Sequence, residues 1–335
     1  MIGVFQSTTP ETLHSFDNMT PLQENYLPLV DTHAHINLED FQDDRESLIA
    51  RSLQGRLPQI KGRQIEDALL KPFMAAMVVP SVDVETAKVA LTLAEQYDYI
   101  YAALAIHPNH LDNNAPQLWR DMKELIESEY ADHKTSRMVA LGETGLDRYW
   151  DDAPFENQKK YFQETIELAD KLELPIIIHS RDANNDLEGI LTDCYQSKRQ
   201  VDEQGRERAF GVVHSFSGTP EQAERLVELG FYLGFGGMCT YTSKRFENIW
   251  QAARVVPVER ILLETDAPFL TPAPWRGKIE RNEPLAVAYV AKRLAELRNT
   301  TVREIATETT KNAQRLFRLP GLPSKPVETD ANSRG

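Results

Sequence analysis

The chain has 335 residues, 37 Lys and Arg against 51 Asp and Glu, and a formal net charge of −14. Its 41% hydrophobic and 26% charged content is ordinary for a globular protein and excludes collagen-like, coiled-coil and wholly disordered organisations. The acidic balance speaks against broad, charge-driven binding to nucleic acid, yet leaves room for a local site that handles phosphates through a metal.

Residues 1–26 have no basic start and no apolar run of signal-peptide length, and read as an N-terminal extension. Short apolar, β-branched runs then recur along the chain. They are Leu27–Asp31, Met74–Val79, Ile100–Ile106, Arg137–Leu141, Pro175–Ile178, Phe210–Val213, Phe231–Phe235 and Arg260–Leu263. Helical patterns lie between most of them. In Lys159–Leu172, Phe162, Thr165, Ile166, Ala169 and Leu172 share one face at the 3.6 period. After the sixth run, Thr219, Pro220 and Gln222 form a capping signal, and Gly230 suits the helix stop. Val287, Val290, Ala291, Leu294 and Leu297 mark a last helix face. Residues 319–335 are Pro-rich and polar and read as a loose tail.

Eight strand–helix repeats over residues 27–318 predict a single (β/α)8 TIM barrel, with an insertion near 51–71 after the first strand. The competing architecture is a doubly wound open sheet, but no Gly-rich turn follows the first strand. Cys194 and Cys239 are far apart and in no metal-type spacing, which fits a reducing compartment. No apolar run approaches the roughly 20 residues that cross a bilayer, so a cytoplasmic protein without a membrane partner is expected.

In a barrel, the C-terminal strand ends converge on the active-site mouth. Strand one runs into Asp31-Thr32-His33-Ala34-His35, and alternation puts both histidines on one face. Later strands end at Glu143, His179, His214 and Asp266. Three or four such groups can hold one divalent ion, and six, with Glu143 or Asp266 bridging, could hold two. His14, His110 and His133 lie in polar stretches and are assigned no role.

The motifs around these residues resemble those of the TatD family of metal-dependent hydrolases. They are DTHAH at 31–35, AIHPNH at 105–110, GETGLD at 142–147, LPIIIHSRDA at 174–183, VVHSFSG at 212–218 and LLETDAPFLTP at 262–272. RNEP at 281–284 and TTKNAQRLF at 309–317 are similar as well, so the resemblance covers about residues 28–318. It implies a TIM barrel, one or two divalent ions (Mg2+, Mn2+ or Zn2+) and hydrolysis of phosphodiester bonds in DNA, often from the 3′ end. His33 and His35 would bind one metal, Glu143 would sit between two, His179 and His214 would complete the second site, and Asp266 would return to the first. Ala105 stands where the family usually has Gly, and the insertion near 51–71 is a second departure. Many binuclear barrel hydrolases bridge their metals through a modified lysine on strand four; Glu143 at that place favours the nuclease. The alternative is a hydrolase of amide, lactone or ester bonds, an aminoacyl-tRNA ester included.

The substrate expected is single-stranded DNA or a 3′ end, and no obligate protein partner is evident. Asp266 could accept the proton of the attacking water or serve purely as a ligand. Arg181 could fork onto a phosphate oxygen or pair with Asp182. His107 could face phosphate or a terminal hydroxyl, or be structural. Two basic clusters interrupt the acidic background: Arg51, Arg56, Lys61 and Arg63, and Trp275 with Arg276, Lys278 and Arg281. They could clamp a nucleic-acid backbone, with Arg276 on phosphate and Trp275 stacking a base, or be a solvated helix face and a packed Trp.

Overall fold

A computed structural model describes residues 26–57, 59–60, 63–64, 71–131, 136–198 and 209–326. Residues 1–25 of the expected extension, 327–335 of the expected tail and two of the histidines without a role, His14 and His133, lie outside the described residues; the tail's first residues are not loose, since Leu319 is buried in the barrel core and Leu322 packs against it. Each apolar run becomes a strand: β1 (Tyr26–Asp31), β2 (Lys71–Pro80), β3 (Ile100–Ala103), β4 (Met138–Asp147), β5 (Ile176–Arg181), β6 (Gly211–Val213), β7 (Phe231–Phe235) and β8 (Ile261–Leu263). All are parallel and pair in sequence order. Among the described residues nine α-helices accompany them: α1 (Arg45–Leu53), α2 (Val84–Gln96), α3 (Ala115–Ala131), α4 (Phe155–Leu172), α5 (Asn184–Tyr195), α6 (Pro220–Glu228), α7 (Glu247–Val255), α8 (Val287–Arg298) and α9 (Val302–Phe317). This is the (β/α)8 barrel, and the open doubly wound sheet is set aside. A short antiparallel pair, Gln59–Ile60 with Arg63–Gln64, lies in the insertion.

Parallel strands covered on both faces read as continuous apolar runs, and β2 is buried at every position after Lys71. Alternate residues divide between two cores. Val30, Val78, Ala103, Ala140, Ile177, Val212, Tyr232 and Leu262 line the barrel interior, closed off by Leu316 and Phe317 of α9. Their neighbours face the helices, where Phe162, Ile166 and Ala169 of α4 and Val290, Ala291 and Leu294 of α8 are buried as the periodicity predicts. Thr219 and Gln222 make the reciprocal cap on α6.

Several strand bounds differ from the sequence reading: β2 begins earlier, at Lys71, and β5 runs on through His179 to Arg181. β3 stops at Ala103, whereas β4 continues through the whole Gly142–Asp147 motif. Glu143 is therefore held inside a strand and not in the loop after it. The extension needs Gly145: a Cβ there would meet the His179 carbonyl oxygen at 2.1 Å, and its φ is +145°. Register then sets Gly145 beside His179 and Asp147 beside Arg181.

The barrel closes through the segments just beyond β1 and β8. Thr32 N–H donates to Leu263 O at 3.0 Å, Asp266 N–H to His33 O at 2.8 Å, and His35 N–H to Ala267 O at 2.8 Å. The seam of the barrel thus places His33, His35 and Asp266 side by side.

Candidate metal centre

Asp31 fixes that seam from behind. One of its oxygens accepts the His33 N–H (3.2 Å) and the Thr265 N–H (3.0 Å), and the other accepts the Thr265 hydroxyl. Asp266 follows with φ of +57°, which turns the chain sharply out of the strand. His33 Nε2 and His35 Nε2 come within 3.0 Å of each other. Asp266 Oδ1 stands 3.8 and 3.5 Å from them, and Glu143 Oε2 stands 3.2 Å from each. The second Glu143 oxygen, Oε1, faces the other way. It lies 2.8 Å from His179 Nδ1 and 2.8 Å from His214 Nε2, which are 3.3 Å apart. The six residues predicted as ligands are thus brought together, with Glu143 between two groups of donors.

The orientation of the imidazoles decides what they can do. His35 Nδ1–H donates to Pro80 O at 3.3 Å, and His179 Nε2–H donates to Asp147 Oδ2 at 3.0 Å. In the neutral ring, the form that binds a metal, each remaining nitrogen is then a bare lone pair aimed at carboxylate oxygens. Acceptors facing acceptors repel unless a cation lies among them. Burial sharpens the conflict: Glu143, Asp147 and Glu264 are at most 2% exposed, and the Asp266 side chain is 13% exposed. Among the described residues, none of these four carboxylates pairs with a Lys or Arg. The cluster draws positive charge accordingly. Burial opposes charging His35, yet hydrogen bonds to Asp266 and Glu143 carry its pKa up to about 9. Burial likewise opposes charge on His214, and Glu143 and Glu264 still raise its pKa well above the usual value. Glu143 stays ionised because the surrounding imidazoles outweigh its burial. His33, Glu143 and His214 offer donor atoms within 4.8 Å of one another, as do His33, His35 and Asp266. Nitrogen and carboxylate donors in this number suit divalent transition ions.

His107 meets the same cluster differently. The Asn109 N–H donates to His107 Nδ1 at 3.2 Å, so the neutral ring carries its proton on Nε2. Burial and nearby His179 push its pKa down to about 3, which keeps it neutral. Its Nε2, 3.7 Å from Glu143 Oε1, therefore presents an N–H and not a lone pair. The side chains of His33, His35, Glu143 and His214 are at most 5% exposed, whereas those of Asp266, His107 and His179 are 13–15% exposed. Those three face the open side of the centre.

Two supporting groups escaped the sequence reading. Asp147 holds His179, and its other oxygen accepts the N–H groups of Tyr149 (2.8 Å) and Trp150 (3.1 Å). Glu264 lies behind His214, 3.7 Å from Nδ1, and accepts the Ser215 N–H. Gly234 leaves it room, since a Cβ there would stand 2.2 Å from Glu264 Oε2. Asp147 closes a motif already quoted, and alternation along β4 puts it on the face of Glu143.

The predicted substrate contacts fare unevenly. Arg181 is exposed at the end of β5, but its guanidinium lies 3.8 Å from the Tyr149 ring centroid and makes no ion pair among the described residues. Arg276 lies 4.4 Å from the Tyr241 ring centroid. The two basic clusters do meet and line one cleft. Two of the four cations lining it are paired: Arg51 grips Glu283 and Asp44, and Arg281 reaches Asp44 and Asp40 O. Trp275 is wholly buried, edge-on to Tyr289 at 4.9 Å, so it cannot stack a base. Lys61 and the side chain of Arg63 lie outside the described residues. His110, assigned no role, sits 3.5 Å from Asp83 Oδ2.

Comparison with known proteins agrees with this geometry. Residues 30–318 match the family described as TatD related DNase. The uncharacterized metal-dependent hydrolase YabD of Bacillus subtilis is 40% identical over 293 residues, covering 87% of this chain and 99% of that protein. The crystal structure of YjjV, a TatD homologue from Escherichia coli, superposes with a TM-score of 0.71 at 32% identity, covering 87% of this chain and 98% of that one. A TatD family protein of Entamoeba histolytica shares the fold at 17% identity and a TM-score of 0.68.

Proposed function

The chain belongs to the TatD family of metal-dependent hydrolases, and from that premise we propose that it is a 3′–5′ exodeoxyribonuclease working with two divalent ions. One observation carries the reading. Glu143 turns one oxygen to His33, His35 and Asp266 and the other to His179 and His214. A carboxylate between two donor groups is what a binuclear centre requires.

His33, His35 and Asp266 would hold one ion, His179 and His214 the second, and Glu143 both. Divalent ions bound there supply charge that neutralises the phosphodiester and makes water a better nucleophile. With four imidazoles among six donors, Mn2+ or Zn2+ suits the set better than Mg2+, which prefers oxygen. The protein's own groups do the rest. Asp266 accepts the proton of the attacking water; the imidazoles, His35 foremost, outweigh its burial and keep it ionised, as a proton acceptor must be. His107 donates its Nε2–H to a phosphate oxygen or a terminal hydroxyl. Arg276 and Arg181 stand at the rim, where the strand of DNA enters. The two cysteines are free, which fits a reducing compartment such as the cytoplasm. No helix among the described residues is long and apolar enough to cross a membrane.

The test is cleavage of 3′- and 5′-labelled single-stranded DNA by wild type and Glu143→Ala, each with Mg2+, Mn2+ and Zn2+. Stepwise loss from the 3′ end, abolished by Glu143→Ala, is expected. No cleavage by folded, metal-loaded protein would transfer the reading to amide, lactone or ester bonds.

A further inference from the structure

Three of the large apolar side chains left in solvent belong to the mouth of the barrel. Tyr149 is 53% exposed, Trp150 48% and Phe269 51%. Tyr149 and Trp150 follow β4, and Phe269 follows β8, the strand opposite it in an eight-stranded barrel. Phe269 lies edge-on to His35, with ring centroids 6.3 Å apart. Tyr149 and Trp150 meet edge to face at 4.8 Å, and the Arg181 guanidinium lies 3.8 Å from the first ring centroid and 5.6 Å from the second. The group is tied to the centre by a single carboxylate. Asp147 accepts the two aromatic residues' N–H groups on one oxygen and the His179 Nε2–H on the other. About half of each ring is left in solvent, and the backbone that carries both is held by the same side chain that aims His179.

We propose that the nucleobase beside the scissile phosphate stacks on one exposed ring face of the Tyr149–Trp150 pair, whose planes stand 85° apart, with Arg181 against the Tyr149 ring and Phe269 bounding the opposite rim. The inference rests on the phosphodiesterase reading above and adds the residues that would recognise the base. Every base presents a π-face, so such a platform tolerates any sequence and requires an unstacked, single-stranded end. Arg181 contributes a cation over the rings and balances a base-bearing strand against an otherwise acidic surface.

The experiment compares a dT oligomer with an abasic oligomer of the same length and charge. Intrinsic tryptophan fluorescence follows binding in the presence of Mn2+. The chain has four tryptophans, of which Trp119 and Trp275 are buried, so quenching that Trp150→Phe removes reports on Trp150. Trp150→Phe retains stacking and should retain the preference for dT. Tyr149→Ala with Trp150→Ala should raise KM for dT on the order of tenfold and collapse the dT-to-abasic ratio toward one. A wild type that quenches and cleaves both oligomers alike overturns the platform and leaves the nuclease standing. A double variant that keeps the dT preference, or loses equally on both oligomers, overturns it too. If the wild type cleaves neither oligomer with any metal, the nuclease reading fails, and quenching by dT but not by the abasic strand still supports base stacking. Concentration-dependent dimers of the wild type, lost in the double variant, would assign the rings to a subunit contact instead.

Discussion

Asp147→Asn asks whether the barrel orients its donors before any ion arrives. The carboxylate accepts from His179 Nε2 at 3.0 Å on one oxygen and from the Tyr149 and Trp150 amides at 2.8 and 3.1 Å on the other. An asparagine retains one acceptor and turns the other into a donor. Two backbone N–H groups at 2.8 and 3.1 Å on one side compete on the other with the imidazole N–H at 3.0 Å and a long 3.4 Å contact from Asn109 Nδ2, so the remaining oxygen should stay with the backbone. The new NH2 then faces His179 Nε2, which must give up its proton and take it on Nδ1. That places N–H where the ion needs a lone pair, 2.8 Å from Glu143 Oε1. Removing an outer partner of this kind costs about 10- to 100-fold in metal affinity. The corresponding free energy is about 1.4–2.7 kcal/mol. Titration calorimetry with Mn2+ should resolve two binding steps, and only the step that uses His179 should weaken; Glu143→Gln should weaken both. Two unchanged steps in a folded variant would refute the argument from orientation. Equal weakening of both would reduce Asp147 to general scaffolding.

His107→Ala should lower kcat/KM on single-stranded DNA by roughly 10- to 100-fold, the loss expected for a hydrogen bond to a charged oxygen. The number of bound ions should not change; loss of an ion would make His107 a ligand. Mn2+ at about 100 times its Kd should stabilise the fold by roughly 2.7 kcal/mol for each site filled, and differential scanning fluorimetry with and without chelator reads this as a rise in Tm. The pH dependence has a defined sign. Metal-free, the contribution of protonated His35 is complete below its ordinary pKa of 6.5 and is lost as pH rises through about 9. The ion replaces that proton, so Mn2+ affinity should rise across the same interval, with proton release measurable in buffers of different ionisation enthalpy; no release would contradict the assignment. Burial pushes the Cys239 thiol up to about 12 and also raises that of Cys194, which is only half-buried. A thiol reagent at neutral pH should therefore modify Cys194 before Cys239 in the native protein, and both faster after unfolding.

What the sequence disclosed depended on how far apart the interacting residues stand. His33 and His35 are two apart, and alternation alone puts them on one face. The strand ends that carry Glu143, His179, His214 and Asp266 converge because eight repeats must close, so the donor set was legible once the barrel was. The helix faces of α4 and α8 were legible for the same local reason. Asp147 was printed in a quoted motif, but its role depends on His179, 32 positions away and across a strand pair. The basic clusters misled because a local window counts cations without their partners. Arg51 finds Glu283 232 residues later, and Arg281 finds Asp44 237 residues earlier. Tryptophan shows the limit most directly. Trp275, followed by Arg276 and Lys278, is wholly buried, while Trp150, followed by Asp151 and Asp152, stands half exposed beside Arg181. Neighbouring charge says little about which aromatic ring a fold leaves free. That is settled by what lies across the barrel, and here Asp147 links the free ring to the metal donors. Asp147→Ala, which removes both sets of hydrogen bonds, should therefore disturb metal affinity and base recognition together, whereas Asp147→Asn should disturb the first alone.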